Sequence, residues 1–445
     1  MTSQFDRRQF LAAATAAGVA LTSVPSRGAG ASDKPAALGG KPVRPGGIRQ
    51  PWPIVSEADE KAVGEVVRSG GWYRGENVDR FEEEYARLNG AKHCVAVSSG
   101  TSALFTSLGA LGIGPGDEVI LNPYTFVATV NVVLLHYAMP VFVDTDRETF
   151  LIDPRKIGPA ITDRTAAIIP IHIGGAPCDM DSILAAAKPR AIPVVEDACQ
   201  AHLARWRDRN VGTWGTTGCF SFQVSKNLCS GEGGAILTND DAVAAKCYAF
   251  HNNCRKRPTA AYDFTYQGGR ATNLRMTEFQ GALLRSQMKG LEQRARIRSA
   301  NAEYLTELLR EIPGITPARP YQGATRNAYH LYMFRYDSAQ FANLPRARFL
   351  SALAKEGIRA SSGYAPLNKA SFIQDALHSK PYLRVYGEKT IQQWQERNHC
   401  PENDKLCEEG VWFGQTTFLG PRSDMDQIAE AIRKIHAYAP QLAKA

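Results

Sequence analysis

CVAVSSGTSALFTSLGALGIGPGDEVILNPYTFVATVNVVLLHYAMPVFVD, residues 94–144, decides the fold class. CVAV, EVILN and PVFVD are short runs that stay apolar at successive positions, as strands covered on both faces do. Between them, SALFTSLGAL and VATVNVVLLHYA have the length and apolar spacing of helices. The alternation runs outward to about Thr238. DPRKIGPAI and DSILAAAK read as helices, and AAIIPIHI, IPVVED, GCFSF and GGAILTN as strands. The predicted fold is α/β, a mostly parallel central sheet with helices on both faces. Such sheets bind ligands beyond the carboxyl ends of their strands. Chemistry is therefore expected in the residues that follow each strand.

Further out, the pattern suggests four units. Residues 32–90 form an N-terminal segment with Pro-rich turns and a polar helix, VDRFEEEYARL. Residues 91–275 form the large α/β unit, and 276–314 read as linking helices. Residues 315–445 read as a smaller α+β domain, with YHLYMFRY as a strand and RARFLSALAKEG and DMDQIAEAIRKIHA as helices.

With 445 residues, 44% hydrophobic and 22% charged, the chain can bury a sizeable core, which excludes disorder and coiled coil as its main character. The net charge is +8, but Lys and Arg are interspersed with Asp and Glu. No long basic block or RNA-binding signature is present, so no nucleic-acid partner is expected. Residues 1–31 read as a signal peptide: Arg7 and Arg8, a weakly apolar run to about Val24, then Ala29-Gly30-Ala31. The paired arginines point to twin-arginine export, hence to folding in the cytoplasm and delivery to the periplasm or cell envelope. An amphipathic helix is the alternative, and the missing polar face counts against it. Cleavage after Ala31 removes three cations and one anion, taking the charge from +8 to +6. Nine cysteines without zinc-type spacing suggest mostly free thiols and no metal site. Cys400 and Cys407 are the one close pair in the C-terminal part, and two unrelated thiols are expected there rather than a disulfide.

Several residues at strand ends carry chemistry. Lys226 lies in CFSFQVSKNLCSGEGGAIL, between two apolar strands. Desolvation there would lower its pKa and make it an amine nucleophile for an aldehyde. Asp197 ends IPVVED and could hold a ring nitrogen protonated; Gln200 follows three residues on. Gly100, Thr101 and Ser102 open a helix after a strand, a start that offers N–H and hydroxyl donors to a phosphate. Ser221 points to the same region, and Phe126 could stack on a flat ring. Each of these signals is weak alone, because capping turns, core phenylalanines and surface lysines are common. Together they ask for a ring bearing a phosphate, an aldehyde and a basic nitrogen, and pyridoxal 5′-phosphate has all three.

SSGTSAL, PYTFVAT, VEDACQAH, FSFQVSKNLCSGEGGAILTN and NLRMTEFQGALL together resemble the DegT/DnrJ/EryC1/StrS aminotransferases. GGKPVR near the start and the closing helix are also similar, so the resemblance covers nearly all of the chain after about Leu38. It implies a fold type I architecture and a homodimer with a shared active site. It implies that Lys226 joins the cofactor as a Schiff base, Asp197 pairs with the ring nitrogen and Gln200 touches the ring hydroxyl. Phe126 takes the stacking position, and Thr101, Ser102 and Ser221 hold the phosphate. Asn273 would reach the phosphate from the neighbouring subunit, and His330 would lie near the substrate. The implied reaction moves an amino group from glutamate or glutamine to a keto-sugar or keto-cyclitol. QQWQERNHCPENDKLCEEGVWFGQ is most similar to members acting on cyclitols. An export signal departs from the family, whose typical members work on cytosolic nucleotide sugars. Two rival readings are a pyridoxal-dependent sugar dehydratase, in which histidine replaces the lysine, and a non-catalytic cofactor-binding sensor.

Overall fold

The computed structural model describes residues 34–48, 50–259 and 265–444. The leader expected over residues 1–31 lies outside the described residues. Seven strands build the central sheet: β1 (His93–Val97), β2 (Glu118–Leu121), β3 (Met139–Phe142), β4 (Thr165–Ile169), β5 (Val195–Asp197), β8 (Thr217–Ser221) and β9 (Gly234–Thr238). A small hairpin, β6 (Arg205–Trp206) and β7 (Arg209–Asn210), interrupts the series between β5 and β8. Pairing gives β3-β2-β4 and β5-β8-β9-β1. Parallel bridges Ile168–Val194 and Ile171–Asp197 join the two sets into one order. All neighbours are parallel except that β9 runs against both β8 and β1.

That one reversal matters for the site. The carboxyl ends of β1, β2, β4, β5 and β8 share an edge with the amino end of β9. The loop from β8 to β9 therefore turns back at the same edge, and it carries Lys226. Every central strand is buried along nearly its whole length, which explains the doubly apolar runs. Helices Gly100–Ala110, Ala128–Leu135 and Met180–Ala187 connect the strands.

A second core gathers around β10 (Ile315–Pro317), β12 (Leu331–Tyr336) and β13 (Gly410–Gly414), with helices Leu291–Arg310, Arg346–Lys355 and Ser423–Ala437. A further strand, β11 (Ala324–Arg326), instead pairs with β6. The two cores cut across the units expected from sequence. Ala37, Leu38, Val43 and Ile48 pack on the second core, whereas helices Glu57–Ser69 and Glu76–Asn89 lie against helix Glu278–Met288. The 32–90 segment is thus divided between them. Likewise, the 315–445 span returns to the first core from Leu367 to Cys407. This excursion covers the sheet edge. Trp394 Nε1 donates to Pro140 O (2.8 Å), and Asn398 Oδ1 accepts from Phe142 N (2.6 Å), so β3 offers little free backbone to another chain.

All nine cysteines are free, Cys400 and Cys407 included. Among the described residues no helix is long and apolar enough to cross a membrane, and no group of three or more His, Cys, Asp or Glu is placed to hold a metal ion.

Candidate active site

A cavity of about 470 Å³ opens at the shared strand edge. Its lining includes Gly100, Thr101, Phe126, Asp197, Gln200, Ser221, Lys226 and His330. Eight of the ten residues singled out from sequence therefore meet in one space. Ser102 and Asn273 do not line it. The Ser102 hydroxyl lies within 2.9 Å of both Ser98 Oγ and Ser99 Oγ, while its N–H donates to Ser99 Oγ (3.0 Å). Ser102 thus takes part in the helix cap, and Ser99 lines the cavity in its stead. Asn273 is exposed and bridges to Asn252 away from the cavity.

The phosphate-type cradle follows from local structure. Ser99 caps helix Gly100–Ala110, whose first-turn N–H groups have no intrahelical acceptor and face anionic ligands well. Gly100 is required by close approach. A β-carbon there would lie 2.6 Å from Ser221 Cβ and 2.9 Å from Cys199 Sγ. The glycine lets the tips of β1, β5 and β8 meet.

Asp197 is buried and fixed at both oxygens. Thr129 Oγ1 donates to its Oδ2 (2.7 Å), and Cys199 N donates to its Oδ1 (3.2 Å). Behind it, Glu196 is fully buried. It accepts from Gly212 N (2.6 Å), Trp214 N (2.7 Å) and Gly215 N (2.7 Å). His172 completes the set at 3.1 Å. Since His172 Nδ1 accepts from Cys178 N (3.0 Å), its Nε2 bears the proton and donates to Glu196. Gln200 is held by Gly174 N, which donates to Oε1 (2.7 Å), while its Nε2 donates to the Tyr364 hydroxyl (3.0 Å).

Lys226 is half-buried, and burial lowers its pKa below the ordinary lysine value. Cys199, Asp197 and Glu232 act against that shift. His330 lies beside it. Asn227 Nδ2 donates to Ala328 O (2.7 Å), so its Oδ1 is the acceptor for His330 Nδ1 (3.3 Å). That leaves His330 Nε2 as a bare acceptor. Burial, helped by the nearby Lys226 cation, holds this imidazole neutral. Phe126 is 56% exposed. Its ring is open for stacking rather than spent in the core.

Sequence reasoning missed Thr129, Cys199, Glu232, Tyr364 and Trp412, all of which line the same cavity. Thr129 sits three residues after Phe126, one helical turn on, and Cys199 sits two after Asp197. Those spacings could have found them. Tyr364 and Trp412 arrive from the smaller domain and carry no local signal.

A half-buried lysine with a lowered pKa, a fixed carboxylate, an exposed aromatic ring and a helix start at the strand ends of this sheet fit a fold type I transferase. Comparison with known proteins narrows the class. Residues 53–433 match the DegT/DnrJ/EryC1/StrS aminotransferase family, and the chain belongs to it. The L-glutamine:2-deoxy-scyllo-inosose aminotransferase of Streptoalloteichus tenebrarius is 35% identical over 413 residues, covering 89% of this chain and 96% of that one. The spore coat polysaccharide biosynthesis protein SpsC of Bacillus subtilis is 37% identical over 354 residues, 76% of this chain and 90% of its own. Among solved structures, 3-amino-5-hydroxybenzoic acid synthase superposes with a TM-score of 0.77 at 28% identity, covering 90% of this chain and all of that one. An aminotransferase from Psychrobacter cryohalolentis gives 0.76 at 30% identity, over 88% and 99%.

Proposed function

We propose that the protein is a pyridoxal-phosphate aminotransferase that takes an amino group from glutamine or glutamate and delivers it to a keto-cyclitol or keto-sugar. The observation that carries this is the convergence of Lys226, Asp197, Phe126 and the Gly100 cradle on one cavity. The donor set suits the cofactor: N–H and hydroxyl groups at Thr101 and Ser221 for a phosphate, a carboxylate for a ring nitrogen, and an exposed ring for its face. The bound cofactor supplies an electron sink for charge developing on the substrate carbon. Lys226, once free of the aldehyde, removes and returns the proton at the substrate α-carbon. Asp197, held by Thr129, keeps its carboxylate aimed at one point throughout. Gln200 orients the ring edge, with its amide fixed by Gly174 and Tyr364. His330 Nε2 accepts a hydrogen bond from the lysine or from the substrate. Asn273, exposed and outside its own cavity, is assigned to the site of a second copy, making the enzyme a homodimer. We also assign residues 1–31 to twin-arginine export, on Arg7, Arg8 and the small-residue run that follows them.

The test is spectroscopic and kinetic. The cofactor's visible band should bleach on adding L-glutamine and return with a keto-cyclitol. Initial rates with both substrates should give parallel double-reciprocal lines. An unchanged band would favour the sensor reading, and intersecting lines would remove the two-stage scheme. A second expectation concerns the cradle. Gly100→Ala must push Ser221 or Cys199 aside, an overpacking cost of roughly 1–3 kcal/mol. Cofactor affinity, titrated by absorbance, should fall about tenfold or more; unchanged affinity would show that the cradle is not where the phosphate sits.

A further inference from the structure

We propose that Trp412 is the specificity-determining platform for the amino acceptor, and that this acceptor is an uncharged polyhydroxylated ring ketone. The inference rests on the aminotransferase reading and deepens it. Strand β13 carries Val411, Trp412 and Phe413 in succession, and neighbouring side chains leave a strand on opposite faces. Val411 and Phe413 are fully buried in the smaller domain's core. Trp412 therefore faces the other way, where it is partly buried against the large domain and lines the cavity. Its placement is rigid. The strand pairs with β12 on one side, with Met333 opposite Trp412. On the other side Ser361 N donates to Trp412 O (3.0 Å), and Trp412 N donates to Ser361 O (3.1 Å). The indole is further braced by Tyr364, with ring centroids 4.7 Å apart at 57°. Tyr364 is in turn tied to Gln200.

The indole N–H is uncommitted. Trp52, Trp72, Trp214 and Trp394 all donate to backbone carbonyls. Trp206 is buried without a partner. Trp412 alone combines an unpartnered N–H, among the described residues, with a place on the cavity wall. A half-exposed indole offers a flat apolar face to ring C–H groups and a donor to a hydroxyl at its edge. That is the chemistry of a polyol ring.

Charge narrows the class. Among the described residues of one copy, Lys226 is the one lysine or arginine on the cavity wall, His330 is neutral, and Asp197 and Glu232 are carboxylates. Tight phosphate recognition generally uses arginine forks or several lysines. A phosphorylated or nucleotide-linked acceptor would find neither among these residues, and Glu232 would repel it. The cofactor-directed groups come from the large domain. The acceptor is thus read by the small one, through a residue the donor's chemistry does not need.

The experiment separates the half-reactions of the holoenzyme, with L-glutamine as donor and 2-deoxy-scyllo-inosose as the probe ketone. In Trp412→Ala the ketone concentration giving half-maximal return of the visible band should rise at least tenfold. The donor concentration dependence should move less than threefold. Trp412→Phe keeps a flat ring without the N–H and should fall between, which guards against a general folding defect in the alanine variant. Equal losses in both half-reactions, or no change in the ketone dependence, would overturn the assignment to Trp412. A wild-type protein that bleaches with L-glutamine but is not restored by this ketone would overturn the acceptor class. Failure to bleach with L-glutamine would fall instead on the aminotransferase reading itself.

Discussion

Replacing Lys226 with alanine is expected to lower turnover by at least about 10⁴-fold, the largest catalytic loss at any position in the molecule. Two functions leave with one side chain. The amine nucleophile that captures the cofactor aldehyde is gone, and so is the base that moves the substrate proton, itself worth about 10²–10⁴-fold. The cavity around it should survive. Asp197, Gln200 and the Gly100 cradle are held by Thr129, Gly174 and the helix cap, none of which depends on Lys226. The variant should therefore still bind pyridoxal phosphate, with the spectrum of the free aldehyde. Borohydride should fix the cofactor to the Lys226 peptide in the wild type and to no peptide in the variant. Lys226→Arg should be as inactive, because a guanidinium keeps the charge without a usable nucleophile. The pH dependence has a definite sign. Burial lowers the lysine's pKa, so the neutral amine is present at lower pH than for an ordinary lysine. The rate of cofactor capture should rise with pH and level off below 10.5. A plateau only above that value, or donor-driven bleaching in Lys226→Ala within tenfold of wild type, would sink this account.

The parts of the site that sequence reasoning found are those carried by strand ends. Lys226, Asp197, Gln200, Ser221 and Gly100 each follow or end an apolar run, so the period that marks the strand also locates the residue. Phe126 could not be told from a core phenylalanine until its exposure was known. Ser102 does not line the cavity because its hydroxyl turns to Ser98 and Ser99 at the helix cap, which only geometry shows. Tyr364 and Trp412 could not be found this way. They lie more than a hundred residues from Lys226, and only the packing of the two cores brings them to the cavity. The two cores depart from the expected unit boundaries for a related reason. Helical periodicity shows that a helix buries one face but not which core receives it, so the helices between Ser371 and Glu409 looked like part of the smaller domain while they cover β3.

Glu196 was passed over beside Asp197, yet its loss should be highly damaging to stability. Glu196→Ala is expected to cost several kcal/mol, since each buried donor left without an acceptor costs about 1–3 kcal/mol. Its carboxylate accepts four hydrogen bonds with no exposure to water, three from the Gly212–Gly215 turn and one from His172. Alanine would leave three backbone N–H groups and an imidazole N–H buried without acceptors. His172 cannot adapt by changing tautomer, because its Nδ1 already accepts from Cys178 N. Glutamine should rescue little. One of the two oxygens would become an NH₂ group, which must face either the Trp214 and Gly215 amides or the Gly212 amide and His172, donor against donor. The damage should also spread to function. Glu196 precedes Asp197 on β5, and the turn it holds feeds β8, which ends at Ser221. Both sides of the cofactor cradle then lose their footing together. Urea unfolding followed by tryptophan fluorescence should show a lower midpoint for both variants, and cofactor release should precede global unfolding. An unfolding free energy within about 1 kcal/mol of wild type would mean that water re-pairs the four donors, and that Glu196 is not what fixes Asp197.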